Sequence, residues 1–148
     1  MKHQKKNGIA FLQDALREMR KKNPSLEQAF SLLKKSYDHG NHEAAYAIAT
    51  WYLHGRYVNK NLREAIKLLR LAANSNVAAA CFDYAVCFEK GIGVAKNDRK
   101  AFELYLKAAL LGDESSMQEV GRCYYYGIGI PKDRRLANIW LNLDRKDH

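Results

Sequence analysis

The chain has 148 residues, 47% of them hydrophobic, and carries 25 Lys and Arg against 16 Asp and Glu, a net charge of +9. An apolar fraction of this size excludes a chain that is disordered over its whole length, and the length is that of about one globular domain. No segment approaches the roughly 18 consecutive apolar residues of a membrane-spanning helix. The N-terminus begins with basic residues, but charged residues interrupt the apolar segment that a secretory signal would have next. We therefore expect a single domain over residues 1–148, located in the cytoplasm.

The predicted elements are eight α-helices, and no strand pattern competes with them. The first helix places Ile9, Leu12 and Leu16 on one apolar face, as a period of 3.6 residues requires. The second begins after Ser25, whose hydroxyl can accept a backbone N–H that the helix leaves unpaired. The eight predicted ranges are 8–22, 26–38, 42–54, 62–74, 78–90, 98–110, 114–126 and 134–143.

A step of 36 residues relates these helices to one another. Glycine recurs at this step where the first helix of a pair ends, and Ser, Asn or Asp recurs where the second begins. The glycines are Gly55, Gly91 and Gly127, the helix starts are Ser25, Asn61, Asn97 and Asp133, and the turns between pairs are Gly40, Asn76 and Gly112. Fixed self-similarity at this period is typical of a repeat protein. The sequence therefore predicts four helix pairs, over 1–40, 41–76, 77–112 and 113–148, with the first as a degenerate N-terminal capping pair.

Two features depart from the repeat. Tyr57 stands where the later repeats have Gly93 and Gly129, so this turn should differ if the glycines use a positive φ. Trp140 and Leu141 lie on the last predicted helix, which no further helix follows to cover them. We expect that end of the protein to be open for contact, including contact with a second copy of the chain.

The residues that most often carry chemistry form no recognisable catalytic or metal-binding set. The cysteines, at positions 81, 87 and 123, are predicted to be three free buried thiols, because equivalent positions on neighbouring helices are too far apart for a disulfide. His39 and His42 flank a turn and lack two companion ligands, which favours solvated turn residues over a metal site. No nucleophile, base and orienting group recur at related spacings. The sequence thus predicts a non-enzymatic protein without metal or cofactor.

The positive charge is concentrated at the N-terminal end of the chain. The net charges of the four predicted pairs are +5, +3, +1 and 0. Such a gradient can steer an acidic partner toward the first two pairs. The basic side chains Arg20, Lys21 and Lys22, together with Lys2, Lys5, Lys6, Lys34 and Lys35, also allow a nucleic-acid partner. A solvated capping face is the favoured interpretation, because no aromatic residues interleave with the cluster.

One motif recurs in the last three predicted pairs, and its clearest copy centres on Gly91. That copy comprises Tyr84-Ala85, Phe88, Gly91, Gly93-Val94, Ala101, Leu104-Tyr105, Ala108-Ala109 and Gly112. The motif resembles the Sel1-like repeat, a relative of the tetratricopeptide repeat, over about 108 residues. This resemblance implies an all-α fold, a right-handed α/α solenoid of about four helix pairs.

The resemblance also implies where a partner would bind. In tetratricopeptide proteins, residues of the first helix of each pair face a concave groove. The matching positions here are Tyr46, Thr50, His54, Phe82, Val86, Lys90, Gln118, Arg122, Tyr125 and Tyr126, and the wider set includes Glu89. Tyr and Arg are enriched among residues that dominate interfaces. For Tyr46, Phe82 and Tyr126 the alternative is packing against neighbouring helices.

The leading hypothesis is a protein–protein interaction module that holds a protein or peptide, one with an acidic surface, on its concave face. By analogy with small bacterial members of the family, a sharper version is an immunity protein that neutralises a toxin. The alternative hypothesis is a nucleic-acid-binding regulatory protein that uses the basic N-terminal face. No membrane partner is expected.

Overall fold

The computed structural model describes residues 7–146, with side chains as far as residue 142, and these residues form eight α-helices and no strand. The helices are α1 (Gly8–Met19), α2 (Leu26–Asp38), α3 (His42–His54), α4 (Leu62–Asn74), α5 (Ala78–Lys90), α6 (Asp98–Leu110), α7 (Glu114–Tyr126) and α8 (Arg134–Lys146). The bounds of α2 to α7 agree with the prediction. Helix α8 ends three residues later than predicted, and α1 ends three residues earlier.

The early end of α1 has a local cause in the Glu18 side chain. The buried Glu18 carboxylate accepts the backbone N–H of Ser25 at 3.1 Å and pairs with Lys21 at 2.9 Å. These bonds turn the chain back toward α1 and lower the pKa of Glu18 below its ordinary value, the hydrogen bond from Lys21 being the largest cause. Pro24 also disfavours a helical conformation at the residue before it. Helix α1 ends at Met19, before this turn.

The predicted helix starts are all confirmed as N-caps. The side chains of Ser25, Asn61, Asn97 and Asp133 each accept the backbone N–H three residues ahead, at 3.0 to 3.2 Å. Each such cap stabilises a helix by about 1 kcal/mol. The alanines four residues after them, Ala29, Ala65, Ala101 and Ala137, are fully buried. The 36-residue step therefore identifies the scaffold correctly.

The glycines that end α3, α5 and α7 take the left-handed conformation, at φ of 67°, 71° and 72°. A second left-handed residue follows two positions later in each turn. It is Gly93 and Gly129 in the later repeats, both at φ 70°, and Tyr57 at φ 62° in the first of these turns. The expectation that the Tyr57 turn differs is therefore wrong in its backbone, because tyrosine adopts the conformation that glycine adopts elsewhere.

The chain divides into two compact units, unit 1 up to Ala72 and unit 2 from Ala73 onward. In the described part of unit 1, α1 packs on α2 and α2 packs on α3. The Ser36 hydroxyl is buried there and donates a hydrogen bond to the backbone carbonyl of Gly8. A Cβ atom on Gly8 would lie only 2.9 Å from the Cβ atom of Asn41. The degenerate first helix is thus tightly docked. The prediction of a single domain over 1–148 stays a prediction.

Unit 2 contains α5 to α8, which pack in chain order, α5 on α6, α6 on α7 and α7 on α8. Its three cysteines are free and buried, as predicted. Burial raises the pKa of the Cys87 thiol to about 11 and that of Cys123 to about 12. Leu141 of α8 lies over Gly121 of α7, where an added Cβ would be 2.8 Å from its Cγ. Leu141 and Trp140 are half-buried, and the expectation that this end of the protein is open for contact stays a prediction.

Candidate functional site

The predicted site residues of unit 1 lie on one face of α3. Tyr46, Thr50 and His54 are four residues apart, a spacing that places side chains on the same side of a helix. Tyr46 and Thr50 are half-buried, and His54 is exposed at the last position of α3. The Thr50 hydroxyl donates to the carbonyl of Ala47 at 2.7 Å, so its hydrogen-bonding capacity is partly used within the helix.

The equivalent residues of α5 in unit 2 show the same sequence of burial, two half-buried side chains followed by an exposed one. Phe82 is half-buried and packs edge-on against Tyr105 of α6, with ring centroids 5.6 Å apart. Val86 is half-buried, and Lys90 is exposed at the end of the helix. Phe82 therefore packs against a neighbouring helix, and part of its side chain also remains accessible to a partner.

The predicted residues of α7 extend this surface in the same unit. Gln118 is exposed, while Arg122 and Tyr125 are half-buried. Tyr126 is 65% exposed and lies edge-on to Tyr125 at 4.8 Å between ring centroids. The Arg134 guanidinium lies 4.9 Å from the centre of the Tyr125 ring. We call this surface the first-helix face of unit 2, defined by Phe82, Val86, Lys90, Gln118, Arg122, Tyr125 and Tyr126.

Arg122 lies at the centre of an ion-pair network. Its Nη2 is 2.6 Å from Oε1 of Glu89 on α5 and 2.6 Å from Oε2 of Glu119 on its own helix. The Tyr105 hydroxyl of α6 donates to the same Glu89 oxygen at 3.0 Å. The side chains of Arg122, Glu89 and Glu119 are 34%, 20% and 28% exposed. Three helices are therefore joined by one partly buried polar cluster.

The network shifts the pKa values of Glu89, Tyr105 and Arg122. Burial by itself raises the pKa of Glu89, but the hydrogen bonds from Arg122 and Tyr105 outweigh it and hold that pKa below its ordinary value. The pKa of Tyr105 is strongly raised by burial and by the Glu89 charge, and the hydrogen bond to Glu89 raises that of Arg122. At neutral pH the cluster holds one cation between two carboxylates. Arg122 is thus a positioned, neutralised group rather than an open positive charge.

Sequence reasoning missed the parts of this network contributed by Tyr105 and Glu119. Glu89 belonged to the wider predicted set, but nothing in the repeat pattern paired it with Arg122. The two residues are 33 positions apart, three fewer than the 36-residue repeat, and three residues are nearly one helical turn. Opposite charges at that separation on successive first helices are the signal that could have identified the pair.

The other predicted features have simpler surroundings. Arg20, Lys22, Lys34 and Lys35 are exposed, whereas Lys21 pairs with Glu18, and Lys2, Lys5 and Lys6 lie outside the described residues. Nucleic-acid binding by this segment stays a prediction. Leu136 and Ile139 of α8 are exposed, and self-association through this end also stays a prediction.

Histidine, cysteine and acidic side chains do not assemble into a metal-binding group anywhere in residues 7–142. No three of them are close enough together to hold an ion. Nδ1 of His39 is instead 2.7 Å from the carbonyl oxygen of Lys35. Within the described part of the chain, no helix has the length and apolar character that crossing a membrane requires.

Eight helices arranged with a 36-residue period define an all-α solenoid of helical repeats, which confirms the predicted fold class. The Sel1 repeat family matches residues 18–41, 42–77, 78–113 and 115–143. The chain therefore belongs to the Sel1 repeat family, as the motif indicated. Sel1 repeats form scaffolds that bind protein partners. A comparison with the sequences of curated proteins gives no match.

Several solved protein structures are similar to the chain. A Sel1 repeat protein from Oxalobacter formigenes is 28% identical with a TM-score of 0.84, and the match covers 95% of this chain and 59% of that one. A protective antigen of uropathogenic Escherichia coli has 22% identity and a TM-score of 0.89, over 95% and 31% of the two chains. An immunity protein from Pseudomonas aeruginosa has 20% identity and a TM-score of 0.66, over 99% and 54%. The chain thus spans 59% or less of each of these three proteins.

Proposed function

We propose that this protein is a non-enzymatic cytoplasmic interaction module that binds a protein or peptide through the first-helix face of unit 2, with Tyr46, Thr50 and His54 contributing in unit 1. The observation that carries this proposal is the exposure of Tyr126, which presents 65% of its surface in the last turn of α7. Residues 36 positions apart share one place in the repeat, and the equivalents of Tyr126 are His54 and Lys90. The scaffold therefore does not need an aromatic residue there.

Tyr126 has the properties of an interface anchor. Its ring is supported by Tyr125, which in turn contacts the Arg134 guanidinium. A supported ring loses little conformational freedom when a partner covers it, and tyrosine is over-represented among the residues that dominate binding energy. Lys90 and Gln118 are further exposed polar residues of the first-helix face.

The proposed partner has an acidic surface. Residues 1–72 carry 14 basic and six acidic side chains, a net charge of +8. Residues 73–148 carry 11 basic and ten acidic side chains, a net charge of +1. Attraction of an acidic partner would therefore come from unit 1, while Tyr126 supplies a local contact in unit 2.

A more specific form of this proposal is neutralisation of a toxin. The Pseudomonas aeruginosa neighbour bears the name of an immunity protein, but at 20% identity the likeness concerns the fold alone. The support for this form is therefore the family analogy drawn from the sequence.

Site-specific photo-crosslinking in the native host tests the proposal. Tyr126→p-benzoylphenylalanine should capture a discrete protein partner on irradiation, because the photoreactive ring would replace the anchor itself. The matched control is Leu110→p-benzoylphenylalanine, which places the same group at a 74% exposed position at the end of α6. A partner captured equally from both positions, or from neither, would refute binding at the first-helix face.

A further inference from the structure

We propose that unit 1 contains a second partner-binding surface, at the turn that follows α3. We call it the aromatic turn and define it by Phe30, Trp51, Arg56 and Tyr57. Its proposed ligand is an acidic peptide segment of a partner protein that presents one apolar or aromatic side chain. The surface is separate from the first-helix face, on which the proposed function rests.

The aromatic turn is a cluster of three rings. The Tyr57 centroid is 5.5 Å from that of Phe30 and 6.2 Å from that of Trp51, and Phe30 and Trp51 are themselves 5.5 Å apart. Trp51 is buried, whereas Tyr57 is 51% exposed. The Arg56 guanidinium lies 5.4 Å from the centre of the Trp51 ring. A supported aromatic ring and a cation are therefore presented side by side at the surface.

The repeat itself does not require an aromatic residue at the positions of Trp51 and Tyr57. The equivalents of Trp51 are Cys87 and Cys123, and the equivalents of Tyr57 are Gly93 and Gly129. Those two glycines form the same turn at φ 70°. The left-handed region favours glycine and is unfavourable for a bulky side chain. Non-glycine residues held in this conformation cluster at binding sites, which makes Tyr57 a candidate for function.

The charges around the turn indicate the chemistry of its ligand. Arg56 and Lys60 are exposed, and residues 55–61 contain no acidic side chain. Carboxylates on a partner would pair with these cations while an apolar or aromatic side chain covers the Tyr57 ring. Single-stranded nucleic acids are bound by successive stacking rings, whereas this turn exposes one. The surface therefore fits a peptide better than a nucleic acid.

Selection from a phage-displayed library of random 12-residue peptides on the full chain tests this assignment. The selected peptides should combine Asp or Glu with an aromatic or aliphatic residue. They should bind Tyr57→Gly at least about tenfold more weakly, the loss expected for an interface anchor. Tyr57→Gly keeps the turn, since glycine adopts this φ in the other repeats. Tyr57→Phe, which retains the ring, should bind as the wild type does.

The controls separate this inference from the proposed function. Leu110→Ala, a substitution at an exposed position outside both surfaces, should leave binding of the selected peptides unchanged, and circular dichroism should show that every variant keeps its helix content. Peptides that bind Tyr57→Gly as well as the wild type would overturn the inference, and peptides that depend on Tyr126 instead would overturn it while supporting the first-helix face. The inference is also wrong if Tyr57→Gly impairs binding of a (dT)12 oligonucleotide and no peptide is selected.

Discussion

The Arg122 network leads to a quantitative prediction about what holds α5 and α7 together. Arg122 forms two ion pairs of equal length, one to Glu89 on another helix and one to Glu119 within α7. The two pairs thus share one cation and one shortest distance. Glu119 also accepts a hydrogen bond from Arg122 Nε at 2.8 Å, whereas only the Glu89 pair joins separate helices. Double-mutant cycles that combine Arg122→Ala with Glu89→Ala or with Glu119→Ala compare them directly.

The structure predicts different coupling energies for the two pairs. A hydrogen bond between charged groups contributes about 1.5 to 3 kcal/mol when partly buried, and the 34% exposure of Arg122 reduces this by solvent screening. We expect about 1 to 2 kcal/mol for the Glu89 pair. The Glu119 pair joins residues three positions apart on one helix, so we expect about 0.3 to 0.5 kcal/mol.

Equilibrium unfolding in urea measures both cycles. The loss of the Tyr105 hydrogen bond accompanies Glu89→Ala in both arms of its cycle and therefore cancels from the coupling energy. Unchanged m values would show that the variants alter stability and not the surface exposed on unfolding. Equal coupling energies for the two pairs, or a larger value for Glu119, would refute the role of Arg122 as a link between helices.

Three further predictions concern packing, pH and thiol chemistry. A Cβ atom on Gly129 would lie 2.1 Å from the carbonyl oxygen of Asp98, whereas one on Gly127, at a similar φ, meets only ordinary contacts. The free energy of unfolding, measured in urea, should fall by about 1 kcal/mol for Gly127→Ala and by about 3 kcal/mol or more for Gly129→Ala. Equal losses would contradict this close approach. Because the folded state lowers the pKa of Glu89, its contribution to stability is complete above the ordinary value of 4.5 and is lost as pH falls through the lower folded value. Acid titration of the unfolding free energy between about pH 5 and pH 3 should therefore be shallower for Glu89→Gln than for the wild type, and identical slopes would count against the network. Burial raises the pKa of Cys123 to about 12, so mass spectrometry should find it unmodified by iodoacetamide at about pH 8 until urea is added, and rapid labelling of the native protein would contradict its burial.

The scaffold could be predicted from the sequence because it depends on local rules that recur. N-caps such as Asn97, left-handed glycines such as Gly91 and buried alanines such as Ala101 each follow from conformational preference or close helix packing. The end of α1 was placed wrongly because it depends on the Glu18 carboxylate, which reaches the backbone of Ser25 seven residues away. Such a contact leaves no periodic trace.

The candidate sites were harder to predict because they too depend on contacts between residues that are distant in the sequence. The positions of Arg122 and Tyr126 on their helix followed from the 36-residue step. The partners of Arg122 depend on how three helices pack, and a pattern read along one helix does not contain that information. At Tyr57 the sequence shows the departure from glycine and predicts a changed turn. The structure keeps the turn, and the Phe30 and Trp51 rings pack against the left-handed tyrosine.

The turn after each first helix is closed by the same two backbone hydrogen bonds. In the first of these turns, Arg56 donates to the Trp51 carbonyl and Asn61 donates to the Tyr52 carbonyl, both at 2.9 Å, and the equivalent bonds recur in the next two turns. Because main-chain groups close the turn, the side chains within residues 56–60 and 92–96 can differ between repeats, apart from the left-handed position of Tyr57 and Gly93, which disfavours most side chains. On the proposal that the aromatic turn binds a peptide, a lineage could change its binding partner at one turn while inheriting the same scaffold.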